Sequence, residues 1–334
     1  MESETWQEKA QSFISKLEHA KYGLLFNSGV SAICGILASL PAQSTILVGE
    51  DFYSGTRYMM NKHFGERFTY LPIAAGEGHV EKIREVLNSS QNISMVFLES
   101  PTNPLLHVYD IKRIAEVCKE HKVLFAVDNT FCTPIFQNPL LLGTNVVVHS
   151  ATKFLSGHSD VCGGYLGTND EDLYTKFHSS RERAGNHLED MPSHLLYEGL
   201  QTLKLRVHKQ HQTSLQIATY LSSHPKISKV LSVSHSPLHA SQSTGFTGML
   251  SFYLNTDDFD KLSVLARDCR LFKFGTSLGG VDSLLDHYGG TMRIFYSKQE
   301  QVERGYTDNF FRMSVGCEEA KDLIGDLEQA LEKI

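Results

Sequence analysis

The chain has 334 residues, 41% of them hydrophobic, which is enough for a sizeable core and, by length, for two domains. Its 31 Lys and Arg against 38 Asp and Glu give a net charge of −7 with no basic cluster, which argues against nucleic acid, and no apolar run approaches the length of a membrane span. The 16 histidines show no metal-ligand spacing, and the six cysteines, Cys34, Cys118, Cys132, Cys162, Cys269 and Cys317, lie in apolar segments without C-x-x-C spacing and read as reduced core thiols.

The N-terminus is polar and acidic with no apolar signal core, so a cytoplasmic location is expected. Trp6, Phe13, Ile14 and Leu17 recur at nearly helical spacing among Glu and Lys and predict an amphipathic helix. An apolar run from Tyr22 then leads into Asn27, Ser28 and Gly29, where a small-residue helix begins. Backbone N–H groups there can bind an anion, and an ordinary N-cap would use the same residues. The short strand 45–49 delivers Tyr53, either an aromatic placed to stack on a planar ring or a plain turn tyrosine.

A helix is expected at 80–87 and a strand at 94–98. The strand ends in Glu99-Ser100-Pro101-Thr102-Asn103-Pro104, where the prolines forbid a helix and fix a turn around Asn103. The helix 110–121 carries its apolar stripe on Ile111, Ile114, Ala115 and Cys118. The run 123–127 is a strand that stops on Asp128, Asn129 and Thr130. A carboxylate at a buried strand end needs a partner; a pyridinium nitrogen is one, and a helix N-terminus is the plainer one. Val146, Val147 and Val148 suit a strand buried on both faces, followed at once by His149, Ser150, Ala151, Thr152 and Lys153. A lysine there can form a Schiff base with an aldehyde, and two flanking hydroxyls can hold a phosphate, a pairing suited to pyridoxal phosphate; a solvated lysine is the plain reading.

Repeated strand and helix predict a parallel sheet with its chemistry at the carboxyl edge of the strands. Beyond Lys153 the pattern gives a strand at 165–167, a helix at 171–183 and one long helix at 194–213. A helix at 215–223, strands at 229–233 and 248–254, and a helix at 257–268 make a second α/β unit. Residues 1–205 are therefore read as a large domain and 206–334 as a small one. Arg312, in an apolar context, should meet a carboxylate.

Three motifs in this order, VDNTF at 127–131, HSATKFLSGHSD with its lysine 25 residues past the aspartate, and FRMSVGCE at 311–318, resemble the Cys/Met-metabolism family of fold type I pyridoxal-phosphate enzymes. That family includes cystathionine γ-lyase, cystathionine β-lyase, cystathionine γ-synthase and methionine γ-lyase, and the resemblance runs from about Leu17 to Ile334. It implies an α/β fold of the type I transferase class, with a large domain on a mainly parallel sheet and a smaller C-terminal α/β domain.

It also implies site roles. Lys153 would hold the cofactor and shuttle protons. Asp128 would face the ring nitrogen. The amides of Ser28, Gly29 and Val30, with Ser150 and Thr152, would hold the phosphate, and Val30 stands where Met is usual. Tyr53 would stack and assist proton transfer, with Ser54 in place of a glycine, and Asn103 would meet the O3′ oxygen. Arg312 would bind the substrate α-carboxylate in a pocket lined by Ser277 and Leu278.

The implied activity is elimination at a C–S bond of cystathionine or a related thioether amino acid, releasing a thiol, a 2-oxo acid and ammonia. The alternatives are γ-replacement, as in a cystathionine γ-synthase, and a cofactor-binding paralogue with little catalysis. Three departures bear on this. The family's Y-S-R-x-x-N-P-T arm has no counterpart before Leu17, and residues 287–292 read HYGGTM where H-P-A-S-M-T-H is usual. Thr276 stands where many γ-lyases have Glu. The arm normally sends a tyrosine and an arginine to a neighbour's phosphate site; Arg57 is the nearest cation in sequence to replace it, and a solvated arginine is the plain reading. A homodimer or homotetramer acting on a small sulfur amino acid is expected.

Overall fold

The most apolar runs of the sequence become the middle of a seven-stranded sheet. In the computed structural model, which describes residues 4–90 and 92–334, these strands are β1 (Tyr22–Phe26), β2 (Ser44–Gly49), β3 (Phe68–Ile73), β4 (Ile93–Glu99), β5 (Leu124–Asp128), β6 (Val146–Ser150) and β7 (Gly164–Thr168). Their order is β1-β7-β6-β5-β4-β2-β3. The β3, β2, β4, β5 and β6 strands pair in parallel, and β7 runs antiparallel to both β6 and β1.

Period-two alternation sends successive side chains into two separate cores. Val48, Phe97, Ala126, Val146 and Val148 pack on one face with Ile33, Ile36 and Leu37 of the helix Gly29–Ser39. Leu47, Val96, Leu98, Phe125 and Val127 pack on the other with Ile83 and Leu87 of the helix His79–Ser89 and Ile114 of the helix Ile111–His121. Each such side chain contributes about 1.5–3 kcal/mol relative to exposure, which makes the sheet a rigid platform for its carboxyl edge.

Several elements go beyond the sequence expectation, β3 and the helix Ser54–His63 among them. The β3 strand contains Pro72 and half-exposed positions, and it is tolerated because it lies at the sheet edge and pairs only with β2. Ser54–His63 is a helix. The single helix expected at 194–213 is interrupted: helices run Asp190–Gln201 and Leu203–Ser223. At the break both the backbone N–H and the hydroxyl of Thr202 reach the carbonyl of Gly199, so the side chain competes for a helical acceptor.

The chain divides into two units: the first takes in the chain up to Asn103, His107–Leu203 and Ser236–Gly245, the second Pro104–Leu106, Lys204–His235 and Phe246–Ile334. A single cut at residue 205 therefore misses the return of 236–245 to the first unit. There the Gln242 side chain donates to the Tyr109 carbonyl at 2.9 Å and accepts from the Ile111 N–H at 3.1 Å.

The second unit carries a five-stranded sheet in the order β10-β11-β12-β9-β8, made of β8 (Ile227–Leu231), β9 (Met249–Leu254), β10 (Lys273–Phe274), β11 (Leu284–Asp286) and β12 (Phe310–Ser314). Ile217, Leu221, Leu262, Leu265, Leu323 and Leu327 from three helices pack against its Leu250, Phe252, Phe311 and Met313.

All six cysteines are free; Cys118 and Cys132 are buried, but Cys162 is exposed rather than part of the core. Among the described residues no helix is long and apolar enough to cross a membrane, and no group of three or more His, Cys, Asp or Glu could hold a metal ion.

Candidate active site

Strand register gathers the chemistry of the first unit at one edge. Glu99 pairs with Asp128, and Asp128 with Val148, so β4, β5 and β6 end side by side. Asp128 does not cap a helix. Its Oδ1 accepts the N–H of Thr130 at 2.9 Å and the Thr130 hydroxyl at 2.5 Å, and that same hydroxyl accepts the N–H of Ser150 at 2.8 Å. Thr130 thus ties the carboxylate of one strand to the end of the strand that leads to Lys153. Burial pushes the Asp128 carboxyl up from its ordinary value, while the two Thr130 bonds and the field of His149 pull it down. A buried carboxyl in this state gains most from a cationic hydrogen-bond donor.

The helix Gly29–Ser39 begins at the same edge, because β1 ends just before it. Ser28 is its N-cap, with Oγ accepting the N–H of Ser31 at 3.0 Å. In a helix's first turn the N–H groups have no intrahelical partner, so those of Gly29 and Val30 are directed out of the N-terminus. A Cβ on Gly29 would stand 3.0 Å from both Cα and Cβ of Ser150, and one on Gly164 would stand 2.1 Å from the Ser28 carbonyl oxygen. The Ser28 backbone and β7 therefore meet because Gly164 lacks a side chain, and the approach of Gly29 to Ser150 is tight. Val30 turns its side chain toward the core.

The Thr152 hydroxyl both accepts from the Gly163 N–H at 3.0 Å and donates to the Gly163 carbonyl at 3.2 Å, closing the loop that follows Lys153. Lys153 is half-buried, its N–H bonded to the Ser150 carbonyl at 3.2 Å and its carbonyl to the Gly157 N–H at 2.8 Å. Asn103 is buried at the end of the proline-bounded turn. Tyr53 is half-exposed; its N–H donates to Glu99 Oε2 at 3.1 Å, and its ring lies over Gly55, where a Cβ would meet ring Cε1 at 2.5 Å. Arg57 donates to the Glu50 carbonyl and sits 4.4 Å above the Phe52 ring.

Glu18 and His149 were not singled out by the sequence patterns. Both are fully covered, at 0% and 1% exposure of their side chains, and Glu18 Oε1 lies 2.5 Å from His149 Nε2. The same Oε1 accepts from Asn129 Nδ2 at 2.9 Å. Asn129 in turn exchanges amide bonds with Gln137, whose Nε2 reaches Asn129 Oδ1 and the Ser100 carbonyl, each at 3.0 Å. Among the described residues Glu18 Oε2 finds no hydrogen-bond partner, an arrangement that costs about 1–3 kcal/mol. The signal that could have found Glu18 is its spacing: Ala10, Ile14 and Glu18 fall at i, i+4 and i+8 on the buried side of one helix.

In the second unit, Arg312 on β12 faces Asp286 on the neighbouring β11, where the register pairs them directly. Arg312 Nη2 donates to Asp286 Oδ2 at 3.1 Å and to the Thr276 carbonyl at 2.5 Å, and the guanidinium sits 5.1 Å above the Tyr288 ring. The pair is only 4% and 3% exposed, so the carboxylate expected for Arg312 is supplied by the protein itself. Burial pushes Asp286 up, against Arg312, the Thr291 hydroxyl and His287. Leu278 is buried, and the N–H of Gly279 next to it donates to Ser314 Oγ at 2.8 Å.

Residues 5–332 match the family described as Cys/Met metabolism PLP-dependent enzyme. The chain is 34% identical over 332 residues to the cystathionine gamma-lyase of Bacillus subtilis (strain 168), covering 97% of this chain and 86% of that one. It is 36% identical over 329 residues to the cystathionine beta-lyase MetC of the same organism, covering 96% and 82%. Among solved structures, the cystathionine gamma-lyase from Lactobacillus plantarum complexed with L-serine superposes with a TM-score of 0.92 at 31% identity, over 98% of this chain and 85% of that one. The chain belongs to the pyridoxal-phosphate-dependent Cys/Met metabolism family, enzymes of sulfur amino-acid metabolism. Its first unit fits that cofactor: a desolvated carboxyl at Asp128 suits a protonated ring nitrogen, and a glycine-opened helix N-terminus against Ser150 suits a phosphate.

Proposed function

We propose that this enzyme is a C–S lyase that cleaves cystathionine or a related thioether amino acid by elimination. The observation that supports the reading is the linkage Asp128–Thr130–Ser150 at the sheet edge, which joins the residues assigned to the ring nitrogen and the phosphate to the strand that leads to Lys153. Similarity to both a gamma-lyase and a beta-lyase supports the reaction class.

When bound, pyridoxal phosphate supplies a protonated ring that stabilises negative charge at the substrate's Cα. Asp128 holds the ring proton in place. Ser150, the backbone amides of Ser28, Gly29 and Val30, and the Thr152 hydroxyl would hold the phosphate. Asn103 positions the ring's oxygen substituent and Tyr53 covers its face. The amine of Lys153 anchors the cofactor and takes and returns protons at Cα and its neighbouring carbon. Arg312, its plane set by Asp286 and Thr276, is assigned the substrate's α-carboxylate, with Ser277 and Leu278 beside it.

Incubation with cystathionine and mass-spectrometric identification of the products tests the proposal. Pyruvate with homocysteine marks β-cleavage and 2-oxobutyrate with cysteine marks γ-cleavage. Absence of any 2-oxo acid, with a thioether formed instead from an activated homoserine and cysteine, would replace the proposal with γ-replacement.

A further inference from the structure

We infer that Glu18 and His149 form a positioning pair that sets the charge around Asp128, so that the helix Trp6–Glu18 acts on the cofactor ring without touching it. The inference rests on the reading that Asp128 meets the cofactor's ring nitrogen.

A single oxygen, Glu18 Oε1, faces two partners, accepting from Asn129 Nδ2 at 2.9 Å and lying 2.5 Å from His149 Nε2, so one hydrogen-bonded junction joins the helix to both strand ends. Asn129 directly follows Asp128 at the end of β5. His149 directly precedes Ser150 in β6, and its field acts on the Asp128 carboxyl. One carboxyl group therefore holds both the residue next to Asp128 and the residue next to Ser150.

Packing alone does not account for this arrangement. Glu18 leaves Oε2 without a partner inside a fully covered site, whereas a neutral or apolar side chain would fill the space with no orphaned charge. The Ser15 hydroxyl, on the preceding turn of the same helix, bonds the Tyr165 hydroxyl at 2.9 Å, so the helix is anchored to the sheet independently of Glu18. Among the described residues the ionisable groups whose influence is felt at Asp128 include His149, and those at Tyr165 include Glu18; no lysine or arginine takes part in either set.

The test compares Glu18→Gln, His149→Gln and Asp128→Asn as holoenzymes, reading the absorption bands of the bound cofactor at fixed pH, its loss on dialysis, and kcat and KM separately. Glu18→Gln keeps an oxygen for His149 and Asn129 but removes the charge. It is expected to displace the bound spectrum in the same sense as Asp128→Asn and to lower kcat by roughly tenfold, with KM within about twofold. His149→Gln keeps a donor toward Glu18 without a ring charge and is expected to behave alike, which keeps the inference testable if Glu18→Gln does not fold. A displaced spectrum in Asp128→Asn together with parental spectra and kcat in both glutamine variants would overturn the inference alone. A parental spectrum in Asp128→Asn would overturn the reading of Asp128 itself, and the inference with it.

Discussion

Gly29 and Ser150 approach closely at the sheet edge: a Cβ at Gly29 would stand 3.0 Å from the Cα and Cβ of Ser150, tight enough that one side must give by a few tenths of an ångström. Because backbone is on one side of that contact, Gly29→Ala must push the helix N-terminus away from β6. A cost of about 1–3 kcal/mol is expected, as for other overpacked sites. The displaced amides should hold phosphate less well, so the variant should lose pyridoxal phosphate on dialysis faster than the parent, followed by absorbance. Equal retention would show that the cradle lies elsewhere.

Lys153 leaves the sheet edge three residues after Ser150, and it is expected to carry the cofactor. Borohydride reduction of the holoenzyme followed by peptide mapping should place the pyridoxyl group on Lys153. Lys153→Ala should reduce turnover by at least about 10²-fold to 10⁴-fold, the usual worth of a positioned acid–base group, with little change in Tm. Label on a different lysine would remove Lys153 from its role.

The state of Asp128 sets a pH dependence whose sign can be worked out. Burial raises its folded-state pKa, so the folded, cofactor-free chain holds this proton at a higher pH than the unfolded chain does. Its contribution to stability is then fully present below the ordinary carboxylate range, near 4, and declines as pH rises through the folded titration. In cofactor-free protein, the stability of the parent relative to Asp128→Asn should fall with rising pH, measured by urea unfolding. Cofactor reverses the sign, since a ring N–H favours the carboxylate: binding should stabilise the parent more as pH rises and leave Asp128→Asn nearly flat. A flat difference without cofactor would mean that the carboxyl is not desolvated.

Much of this site was legible because its strands are apolar on both faces and stop abruptly on polar residues. Val146–Val148 and Val123–Val127 can only be central strands, and the polar residues that follow must then emerge at the carboxyl edge. Glu18 was hidden because charge on an amphipathic helix normally marks the solvent side, although its spacing from Ala10 and Ile14 puts it on the buried face that turns to His149. The return of Ser236–Gly245 to the first unit rests on long-range bonds such as Thr244 N–H to the Phe136 carbonyl at 2.8 Å, which leave no trace in periodicity. The engagement of Arg312 with Asp286 was half visible: an arginine in an apolar strand demanded a carboxylate, but only strand register says which.

Arg312 is thereby a structural residue as well as the assigned carboxylate anchor, and two substitutions separate the roles. Arg312→Ala leaves Asp286 buried without its cation and should cost about 3–5 kcal/mol, read as a lower denaturation midpoint. Arg312→Lys keeps a charge near Asp286 but cannot reproduce a planar fork, so it should fold with a smaller loss while KM rises by about tenfold or more. A destabilised lysine variant with unchanged KM would leave Arg312 with the ion pair alone.

Thr130 offers the sharpest separation of shape from chemistry, because one hydroxyl donates to Asp128 and accepts from the Ser150 N–H. Thr130→Val keeps the branched outline that suits a strand end and deletes both bonds. The Ser150 N–H then loses its acceptor, a loss of about 1–3 kcal/mol, or a few degrees in Tm for a chain of this size. Asp128 keeps only the backbone N–H of residue 130, so burial drives its carboxyl higher and fewer molecules carry the ionised form that the ring nitrogen requires. Turnover should fall by roughly tenfold for each unit of that rise, with cofactor affinity falling alongside. Thr130→Ser retains the hydroxyl and should return both to within about twofold of the parent, a comparison that a steric effect at this position could not produce. Equal activity in the valine and serine variants would show that Asp128 is held by its surroundings and not by Thr130.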